Sequence, residues 1–484
     1  MTMGNVTLLG AGCGKGLITL EGYEILKNAE AVVYDDLIDV DLLLDIREDC
    51  ELIYVGKRFE THSHSQEEIN QILIDKAAEG KRVVRLKGGD GFVFGRGGEE
   101  MIALKEAGVP ARIIPGISSS IAVPERMGIP VTHRGVAQSV TIITGHTATN
   151  RNEDYEALAK MRGTLVFMMG LNSAPVIAEE LIKYGKSEDT PVAILCNGYR
   201  ANEKQIRGTL KETAELVKQA FTPAIFVVGE VAAFSFENTM PRPLGKTSVT
   251  VTGTKYMTDK LEKLFREKGA HVEKHPVIKV CPDYSQIPED FSGYDWLAFT
   301  SANGIRIFFD HIRETKIDYR KLAHLKFACI GTGTADMLES YGFTADFIPT
   351  DYTAEVMGEE LGNVIENNEK LLILRAANGS KLLNEKLDQA GTDYEDRHIY
   401  TTSELSKKII NQDSASTDYI VFASAMGAKA YLKDHEVKEG TKIVCIGEAT
   451  AKVLEGSELL MPKRHTADAI VELVMEDYRK NAEK

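Results

Sequence analysis

Short apolar runs alternate with amphipathic segments through the whole chain. In the first half, the apolar runs predict buried β-strands at residues 6–9, 31–35, 52–55, 82–86 and 111–114. The segment 66–78 carries apolar side chains at helical spacing, Ser65 and Glu68 form a capping box in front of it, and Gly80 ends it. This βαβ rhythm predicts an α/β fold with a mainly parallel sheet.

A second set of strands is predicted at residues 140–144, 164–168, 191–195 and 224–228, with helices at 174–184 and 210–220. The mixed polarity of residues 128–138 indicates a boundary, so we expect subdomains at about 1–130 and 135–240. The sequence MPRPLGK, which begins at Met240, contains two prolines and a glycine and is typical of a linker. We therefore expect a first half at residues 1–240, a linker at 241–246 and a second half at 247–484.

The second half contains an internal repeat. DWLAFTSANGIRIFF at residues 295–309 aligns with DYIVFASAMGAKAYL at 418–432, and KFACIGTGTADML at 326–338 aligns with KIVCIGEATAKVL at 442–454. Each copy places a turn rich in Ser, Thr and Gly between a strand and a helix. The repeat predicts two similar α/β lobes.

Composition argues against several classes of protein. The net charge of −15 disfavours nucleic acid as a partner. Since no apolar run is long enough to cross a bilayer, we expect no membrane span, and a strand predicted from Val6 onward leaves no room for a signal peptide. The six cysteines are scattered without a CxxC pair, which argues against a disulfide framework or a zinc site and fits a reducing cytoplasm.

The segment VVRLKGGDGFVFGRGGEE at residues 83–100 is the strongest sign of a binding site. A predicted strand runs into six glycines, and Glu99 and Glu100 suit the N-terminus of the helix that follows. Glycine lets the backbone approach a ligand closely, and a loop after a strand is the usual place for a small polar ligand in an α/β protein. The earlier turn GAGCGKG at residues 10–16 fits neither the dinucleotide-binding nor the P-loop motif, and is either a tight turn or a ligand contact.

Several side chains at strand ends are candidates for chemistry. Asp35 ends a predicted strand and is either a general base or a helix N-cap. Lys57 and Arg58 follow another strand; they could bind carboxylates or donate a proton, or they could form a solvated surface pair. His62 and His64 have no third ligand at metal spacing, so we expect no metal site.

Taken together, motifs of the first half resemble those of uroporphyrinogen-III C-methyltransferase over about residues 3–235. The matching segments are YDDLI, VGKRFETHSHSQEEINQIL, RLKGGDGFVFGRGGEE, PGISSSIAVPERMGIPVTHRGVAQSV and VFMMGL, of which RLKGGD and THRGVAQSV are the most specific to tetrapyrrole methylases. The resemblance implies a two-domain tetrapyrrole-methylase fold. It also implies two methyl transfers from S-adenosylmethionine to uroporphyrinogen III, giving precorrin-2.

The same resemblance assigns roles to individual residues. Asp35 matches the proposed base and Lys57 the proposed acid. The positions matching cofactor contacts are Cys13, Gly88, Gly89, Asp90, Val93, Ser118, Ser119, Met169 and Gly198. Because the substrate carries eight carboxylates, it needs local cations, for which the candidates are Arg58, Arg96, His133 and Arg134. Cys13 stands where the family usually has proline, and Gly91 replaces the proline usual after GGD.

The polar turns of the second half are either ordinary N-capped turns or part of a cleft that presents N–H groups to an anion. FTSANGIRIFF, the two IG-x-x-TA turns, DYTAEVM, LILRAANG and HIYTT resemble uroporphyrinogen-III synthase over about residues 247–478. The resemblance implies closure of hydroxymethylbilane to uroporphyrinogen III, with Tyr400 assisting loss of the hydroxyl. Matches to cleft-lining positions are Ser301, Thr334, Ser424 and Thr450. It also implies discontinuous lobes, one from about 247–280 with 403–484 and the other from about 282–400.

The two resemblances support each other because the product of the synthase is the substrate of the methyltransferase. We therefore predict a bifunctional cytoplasmic enzyme of sirohaem or cobalamin biosynthesis, dimeric through its first half, with tetrapyrroles as ligands. One alternative stays open: a methylase of another precorrin intermediate fused to a non-catalytic tetrapyrrole-binding module.

Overall fold

A computed structural model of the chain describes residues 3–56, 64–145, 154–200, 202–236, 240–405, 417–454 and 458–482. The chain forms two compact units that divide between Pro241 and Arg242. Leu244 is already buried in the core of the second unit. Among the described residues, no helix is both long and apolar enough to cross a membrane.

The first unit opens with the five predicted strands, each within one residue of its expected ends. They are β1 (Asn5–Gly10), β2 (Ala31–Tyr34), β3 (Glu51–Tyr54), β4 (Arg82–Lys87) and β5 (Ala111–Ile114). All pair in parallel, in the order β3-β2-β4-β1-β5. The carboxyl ends of these strands therefore meet at one edge, where ligands gather in open α/β sheets.

Helices cover both faces of this sheet. They are α1 (Leu20–Lys27), α2 (Gln66–Ala78) and α3 (Gly97–Glu106), whereas the next helix, α4 (Ser119–Arg126), packs against the second sheet of this unit through Val123. The capping box of Ser65 and Glu68 in front of α2 is confirmed, as is the predicted range of that helix. Leu26 of α1 packs on one face of the sheet, and Leu73 and Leu104 of α2 and α3 pack on the other.

The second sheet of the first unit is mostly antiparallel. Its strands are β6 (Val140–Thr144), β7 (Thr164–Met168), β8 (Pro191–Cys196), β9 (Lys204–Thr209) and β10 (Ala224–Val228), in the order β6-β7-β10-β8-β9. Of these five described strands, only β6 and β7 pair in parallel. The accompanying helices are α5 (Tyr155–Lys160), α6 (Ala174–Lys183) and α7 (Thr213–Val217).

For this sheet, one sequence expectation was wrong and one strand was not predicted. The helix predicted at residues 210–220 is a 3₁₀ turn, Leu210–Glu212, followed by the short α7. The capping box of Thr209 and Glu212 forms at the start of that turn. Strand β9 was not predicted, because Ile206 is its only buried side chain and the apolar alternation is weak.

The second unit contains one nine-stranded sheet. Its strands are β11 (Ser248–Thr254), β12 (His271–Pro282), β13 (Trp296–Phe299), β14 (Lys326–Cys329), β15 (Lys370–Ala376), β16 (Asp393–Glu404), β17 (Tyr419–Phe422), β18 (Lys442–Cys445) and β19 (Leu459–Leu460). Their order across the sheet is β14-β13-β15-β16-β12-β11-β17-β18-β19. The long strands β12 and β16 form the one antiparallel pair of this sheet in the described part of the chain, and join its two halves.

Helices flank each half of this sheet. They are α8 (Lys255–Glu267), α9 (Ala302–Glu314), α10 (Thr332–Glu339), α11 (Ala354–Val364), α12 (Leu382–Ala390), α13 (Ala425–Asp434), α14 (Glu448–Ala451) and α15 (Ala467–Ala482). The sequence repeat has a structural counterpart, because Ser301 and Ser424 have the same backbone angles, φ −167° and ψ 154°, and cap α9 and α13 in the same way. The two halves are thus copies of one strand–turn–helix design.

Candidate active sites

Three glycine backbones meet where β1, β4 and β5 end. A Cβ atom at Gly116 would lie 2.1 Å from the carbonyl oxygen of Gly89 and 2.7 Å from the Cα of Gly10, so the contact requires glycine. Gly12 and Gly89 exchange two backbone hydrogen bonds, with N···O distances of 3.1 and 2.8 Å. The turn at residues 10–16 is therefore packed against the loop that follows β4.

Asp90 fixes the same loop with both oxygens of its carboxylate. Oδ1 accepts a hydrogen bond from the backbone N–H of Phe92 at 2.8 Å, and Oδ2 accepts one from Gly116 at 3.0 Å. Bonds from N–H groups to an ionised acceptor are about twice as strong as neutral ones. The GGD motif thus supplies both the close backbone approach and the anchor that holds it.

A cavity of about 490 Å³ lies beside this loop and is lined by residues from both sheets of the first unit. Eight of the positions matched to cofactor contacts line it: Cys13, Gly88, Gly89, Asp90, Val93, Ser119, Met169 and Gly198. Ser118 is not among the lining residues; its hydroxyl instead caps α4 by accepting from the N–H of Ser120 at 3.4 Å. The part that these residues take in binding stays a prediction.

Other lining residues were not predicted from the sequence. They include Leu37, Phe94, Asn172, Arg200 and residues 222–225. Residues 222 and 223 come just before β10, and residues 224 and 225 are its first two positions. Strand β10 runs antiparallel to β7 and β8. The amino end of β10 therefore lies at the same edge as the carboxyl ends of β7 and β8. Residues 222–225 were not predicted, because ligand contacts were expected only at the carboxyl ends of strands.

The loop after β8 carries Arg200 to the cavity. Tyr199 has a φ of 70°, a left-handed conformation that is unfavourable for a residue with a side chain. Glu203 holds the loop by accepting two hydrogen bonds from Arg126, at 3.0 and 3.1 Å, and one from the N–H of Tyr199 at 3.2 Å. Arg200 in turn donates to the carbonyl oxygen of Asp36 at 3.3 Å, which links the two sheets of this unit.

The thiol of Cys13 is half-buried at the cavity wall. Burial raises the pKa of this thiol to about 11, while the positive charge of Arg200 acts in the opposite direction. The thiol is therefore protonated near neutral pH, and a protonated thiol is a poor nucleophile. Cys13 consequently contributes shape and polarity to the wall rather than covalent chemistry.

Asp35 follows β2 at the carboxyl edge of the first sheet. Its Oδ2 lies 3.0 Å from Nη2 of Arg85, and its Oδ1 accepts from the N–H of Leu37 at 3.2 Å. The N-cap of the next helical turn, Val40–Leu44, is Asp39. The N-cap interpretation of Asp35 is therefore wrong, and its carboxylate stands two residues before the cavity-lining Leu37.

Three further predicted cations of the first unit, Arg96, His133 and Arg134, are not among the residues that line the cavity. Arg96 immediately precedes α3 and forms two hydrogen bonds with Glu99, at 2.9 and 2.6 Å. His133 and Arg134 are exposed, and Nδ1 of His133 lies 2.9 Å from the carbonyl oxygen of Arg134. A role for these side chains therefore requires a substrate that extends beyond the cavity.

The predicted acid Lys57 and the predicted substrate contact Arg58 lie outside the described residues, and so does His62. His64 lies 3.8 Å from a carboxylate oxygen of Glu68. Within the described ranges, no three potential metal-ligating side chains come together.

In the second unit, Tyr400 and Ser301 meet across neighbouring elements. Their hydroxyl oxygens are 2.6 Å apart, and Ser301 also accepts from the N–H of Gly304 at 3.2 Å. Tyr400 is 4% exposed, and burial raises the pKa of its phenol, an effect that the bond with Ser301 partly offsets. The contact with Ser301 holds the hydroxyl end of this buried phenol in place.

The other predicted cleft residues occupy the equivalent turns of the repeat. Ser424 caps α13 by accepting from the N–H of Gly427 at 3.0 Å. Thr334 and Thr450 lie in the first turns of α10 and α14 and are both buried. Ser301 and Ser424 thus act as ordinary N-caps in this structure, and their contact with a substrate stays a prediction.

Comparison with known proteins identifies both halves. The family of Tetrapyrrole (Corrin/Porphyrin) Methylases matches residues 5–214, and the family Uroporphyrinogen-III synthase HemD matches residues 259–472. The porphyrin biosynthesis protein HemD of Ruminiclostridium josui is 37% identical over 505 residues, which cover 98% of each chain. The uroporphyrinogen-III C-methyltransferase of Methanocaldococcus jannaschii is 52% identical over 233 residues, which cover 47% of this chain and 96% of that protein.

Among solved structures, the uroporphyrin-III C-methyl transferase of Thermus thermophilus complexed with S-adenyl homocysteine is 36% identical. The match covers 48% of this chain and 94% of that one, with a TM-score of 0.42. The relative that matches along the whole chain, together with the two family matches, establishes that this chain belongs to the family of tetrapyrrole-biosynthesis enzymes in which a tetrapyrrole methylase is fused to a uroporphyrinogen-III synthase.

Proposed function

We propose that this enzyme closes hydroxymethylbilane to uroporphyrinogen III and then methylates that product twice with S-adenosylmethionine, giving precorrin-2 for sirohaem or cobalamin. The observation that carries the methylation step is the set of eight cofactor-matched positions around one cavity. The two activities belong together chemically, because one supplies the substrate of the other.

The residues around the cavity fit S-adenosylmethionine. A volume of about 490 Å³ is in the range of small-molecule sites. Gly88 and Gly89 permit a close approach of the backbone, and the carboxylate of Asp90 adds negative charge beside a cationic sulfonium. Because the sulfonium supplies an already activated methyl group, the surrounding residues need to orient it and exclude water.

Asp35 is the proposed base. Carbon atoms of the pyrrole rings become better nucleophiles as ring protons are lost, and a carboxylate close to the ring favours that loss. Support comes from its position at the sheet edge, two residues before the cavity-lining Leu37. Lys57 is proposed as the acid, and Arg58, Arg96, His133 and Arg134 as partners for the substrate carboxylates, on the strength of the resemblance alone.

For the synthase half, we propose that Tyr400 donates a proton to the departing hydroxyl of hydroxymethylbilane. The hydrogen bond to Ser301 and the burial of the phenol support this role. The polar turns of the two halves of the sheet are proposed to bind the carboxylates of the flexible substrate. Function as a cytoplasmic homodimer is a further part of the proposal and follows from the resemblance.

One assay tests both activities. The purified chain is supplied with hydroxymethylbilane and S-adenosylmethionine, and the tetrapyrroles are separated and identified. Precorrin-2 is the expected product. Formation of uroporphyrinogen I alone would reject the synthase activity, whereas uroporphyrinogen III without methylation would reject the methyltransferase activity and favour another methylation target.

A matched pair of variants tests the proposed base. Asp35→Asn should reduce methylation of supplied uroporphyrinogen III by about 100-fold or more while ring closure continues. Asp36→Asn is the control, since the neighbouring carboxylate accepts a hydrogen bond from the hydroxyl of Tyr54 rather than pairing with Arg85. Equal losses in both variants would contradict a specific role for Asp35.

A further inference from the structure

A buried network of charges lies beneath Asp35. Arg85 and Lys87 lie on the same face of β4, because side chains two residues apart in a strand point the same way. They are only 3% and 6% exposed, and Glu100 of α3 between them is 0% exposed. Burying three charged side chains at one place costs free energy that apolar residues of similar volume would not cost. We therefore expect these buried charges to have a function other than stabilising the fold.

Glu99 and Glu100 both stand in the first turn of α3, but only Glu99 behaves as an exposed N-terminal acid. It pairs with Arg96 at the surface. A single oxygen of Glu100, Oε1, accepts from Lys87 Nζ at 2.8 Å, from Arg85 Nε at 3.2 Å and from Gln66 Nε2 at 3.3 Å. Its second oxygen is buried without a hydrogen-bond partner among the described residues. The two oxygens of Glu100 therefore differ sharply in their hydrogen bonding. Because an unsatisfied buried acceptor is unfavourable, a contribution to stability does not account for this arrangement.

Arg85 connects Glu100 to Asp35. While Nε donates to Glu100, Nη1 donates to the carbonyl oxygens of Leu86 at 3.0 Å and Val33 at 3.3 Å, and Nη2 donates to Oδ2 of Asp35 at 3.0 Å. All three nitrogens of the planar guanidinium are thereby fixed. A rigid donor of this kind holds its carboxylate partner in one orientation.

The charges of the network also balance. Arg85 and Lys87 carry two positive charges, and Glu100 supplies one of the two negative charges needed to match them. The second comes from Asp35, which is the most exposed member of the group and the one nearest to the proposed reaction. The pKa of the Lys87 ammonium agrees with this balance. Burial lowers this pKa most, repulsion from Arg85 lowers it further, and the negative charges of Glu100 and Asp35 act in the opposite direction.

We propose that Glu100, Lys87 and Arg85 form a positioning network for the methyl-transfer site, which fixes the orientation of the Asp35 carboxylate. The inference rests on the proposed function of Asp35 in methylation and extends it to residues that do not touch the substrate. Glu100 is the central member, because it is the group that joins both cations. Without its charge, the two buried cations repel each other and Arg85 loses the partner of its Nε.

Glu100→Gln, with Glu99→Gln as the matched control, tests the network in the full-length chain. With supplied uroporphyrinogen III and S-adenosylmethionine, Glu100→Gln should lower kcat by about 10–100-fold, the loss expected when a reacting group is displaced by about 1 Å. KM for both substrates and the Kd for S-adenosylhomocysteine should stay within about threefold, because Glu100 does not line the cavity. Glu99→Gln should keep kcat within about twofold. A wild-type kcat for Glu100→Gln overturns the inference.

A double-mutant cycle shows whether the network acts through Asp35. Once Asp35→Asn is present, adding Glu100→Gln should change kcat by no more than about threefold. Multiplicative losses would mean that Glu100 supports the site independently of Asp35, and would overturn the inference. If the parent chain itself forms no methylated product, it is the proposed function that fails; a methylating parent with an active Glu100→Gln variant rejects the network alone.

If Glu100→Gln does not fold, Arg85→Lys tests the inference instead. The variant keeps the buried charge but loses the guanidinium fork that joins Glu100 to Asp35. Reduced kcat with unchanged affinity for S-adenosylhomocysteine supports the inference. Wild-type kcat overturns it, and so does loss of S-adenosylhomocysteine binding in a folded Arg85→Lys protein, since that result would assign the network to the shape of the cavity.

Discussion

A methyl group added at Gly116 tests how tightly the strand ends beside the cavity are packed. The new Cβ would lie 2.1 Å from the carbonyl oxygen of Gly89, where 3.0 Å is the practical lower limit for such contacts. Either the loop after β4 or the end of β5 must therefore move by about 1 Å. The obstacle is backbone on both sides, so no side chain can rotate away to relieve it.

The size of the effect follows from that displacement. Overpacking typically costs about 1–3 kcal/mol, and we expect the upper end, about 3 kcal/mol, because the move also disturbs the paired hydrogen bonds of Gly12 and Gly89. For a unit of this size, each kcal/mol lowers the melting temperature by about 2–4 °C, so Gly116→Ala should melt about 6–12 °C below the parent. Affinity for S-adenosylhomocysteine should fall as well, since Gly89 lines the cavity.

Gly98→Ala is the matched control. Gly98 lies in α3, and a Cβ at this position would have no described atom of another residue within 4 Å, so alanine there should stabilise the helix by about 0.5–1 kcal/mol. Thermal unfolding followed by circular dichroism compares the variants. Trp296, the only tryptophan of the chain, lies in β13 and reports on the second unit through its fluorescence. A Gly116→Ala protein that melts within about 2 °C of Gly98→Ala would refute the packing argument.

Three further predictions concern single groups. Because burial raises the pKa of Cys13 to about 11, iodoacetamide at pH 8 should modify it about 100-fold more slowly than an ordinary thiol; mass spectrometry that finds it labelled as fast as the half-buried Cys281 would contradict this. Tyr400→Phe should slow ring closure by about tenfold or more without affecting methylation of supplied uroporphyrinogen III, and an unchanged closure rate in a hydroxymethylbilane assay would remove the phenol from the mechanism. The hydrogen bond from Lys326 holds the pKa of Glu369 at about 2, so this carboxylate stabilises the fold above its ordinary pKa and loses that contribution as the pH falls from about 4.5 towards 2. Acid unfolding of Glu369→Gln should accordingly show a weaker pH dependence across that interval than the parent.

Strong local patterns made much of the fold predictable from the sequence. The apolar runs of the first sheet predict five strands within one residue, and the capping box predicts the full range of α2, because in both cases the local signal agrees with the tertiary packing. The antiparallel β9 is not predictable in this way, because its place is set by pairing with β8 rather than by an apolar pattern of its own. Similarly, the short 3₁₀ turn and α7 replace one long predicted helix.

The candidate site was predictable to a different extent. Motif matching found the cavity-lining glycines and Asp90, whose roles depend on local backbone geometry that a short motif specifies. Arg200 was missed, because its approach depends on the left-handed backbone at Tyr199, a residue type that gives no sign of that conformation. The sequence predicts Glu100 only as an ordinary helix N-terminal acid, since contacts between β4 and α3 are not visible in either segment alone.

Under the proposed function, the first unit separates cofactor holding from proton chemistry. Among the described residues that line the cavity, only Asp90 and Arg200 are charged, and both oxygens of Asp90 are engaged by backbone N–H groups. Such a wall can orient a sulfonium but offers no free base. The ionic network of Glu100 and Arg85 instead ends at Asp35, beside the cavity rather than in its wall. This division is useful, because the buried partners can hold the orientation of a base aimed at the pyrrole substrate without altering the affinity of the cofactor site.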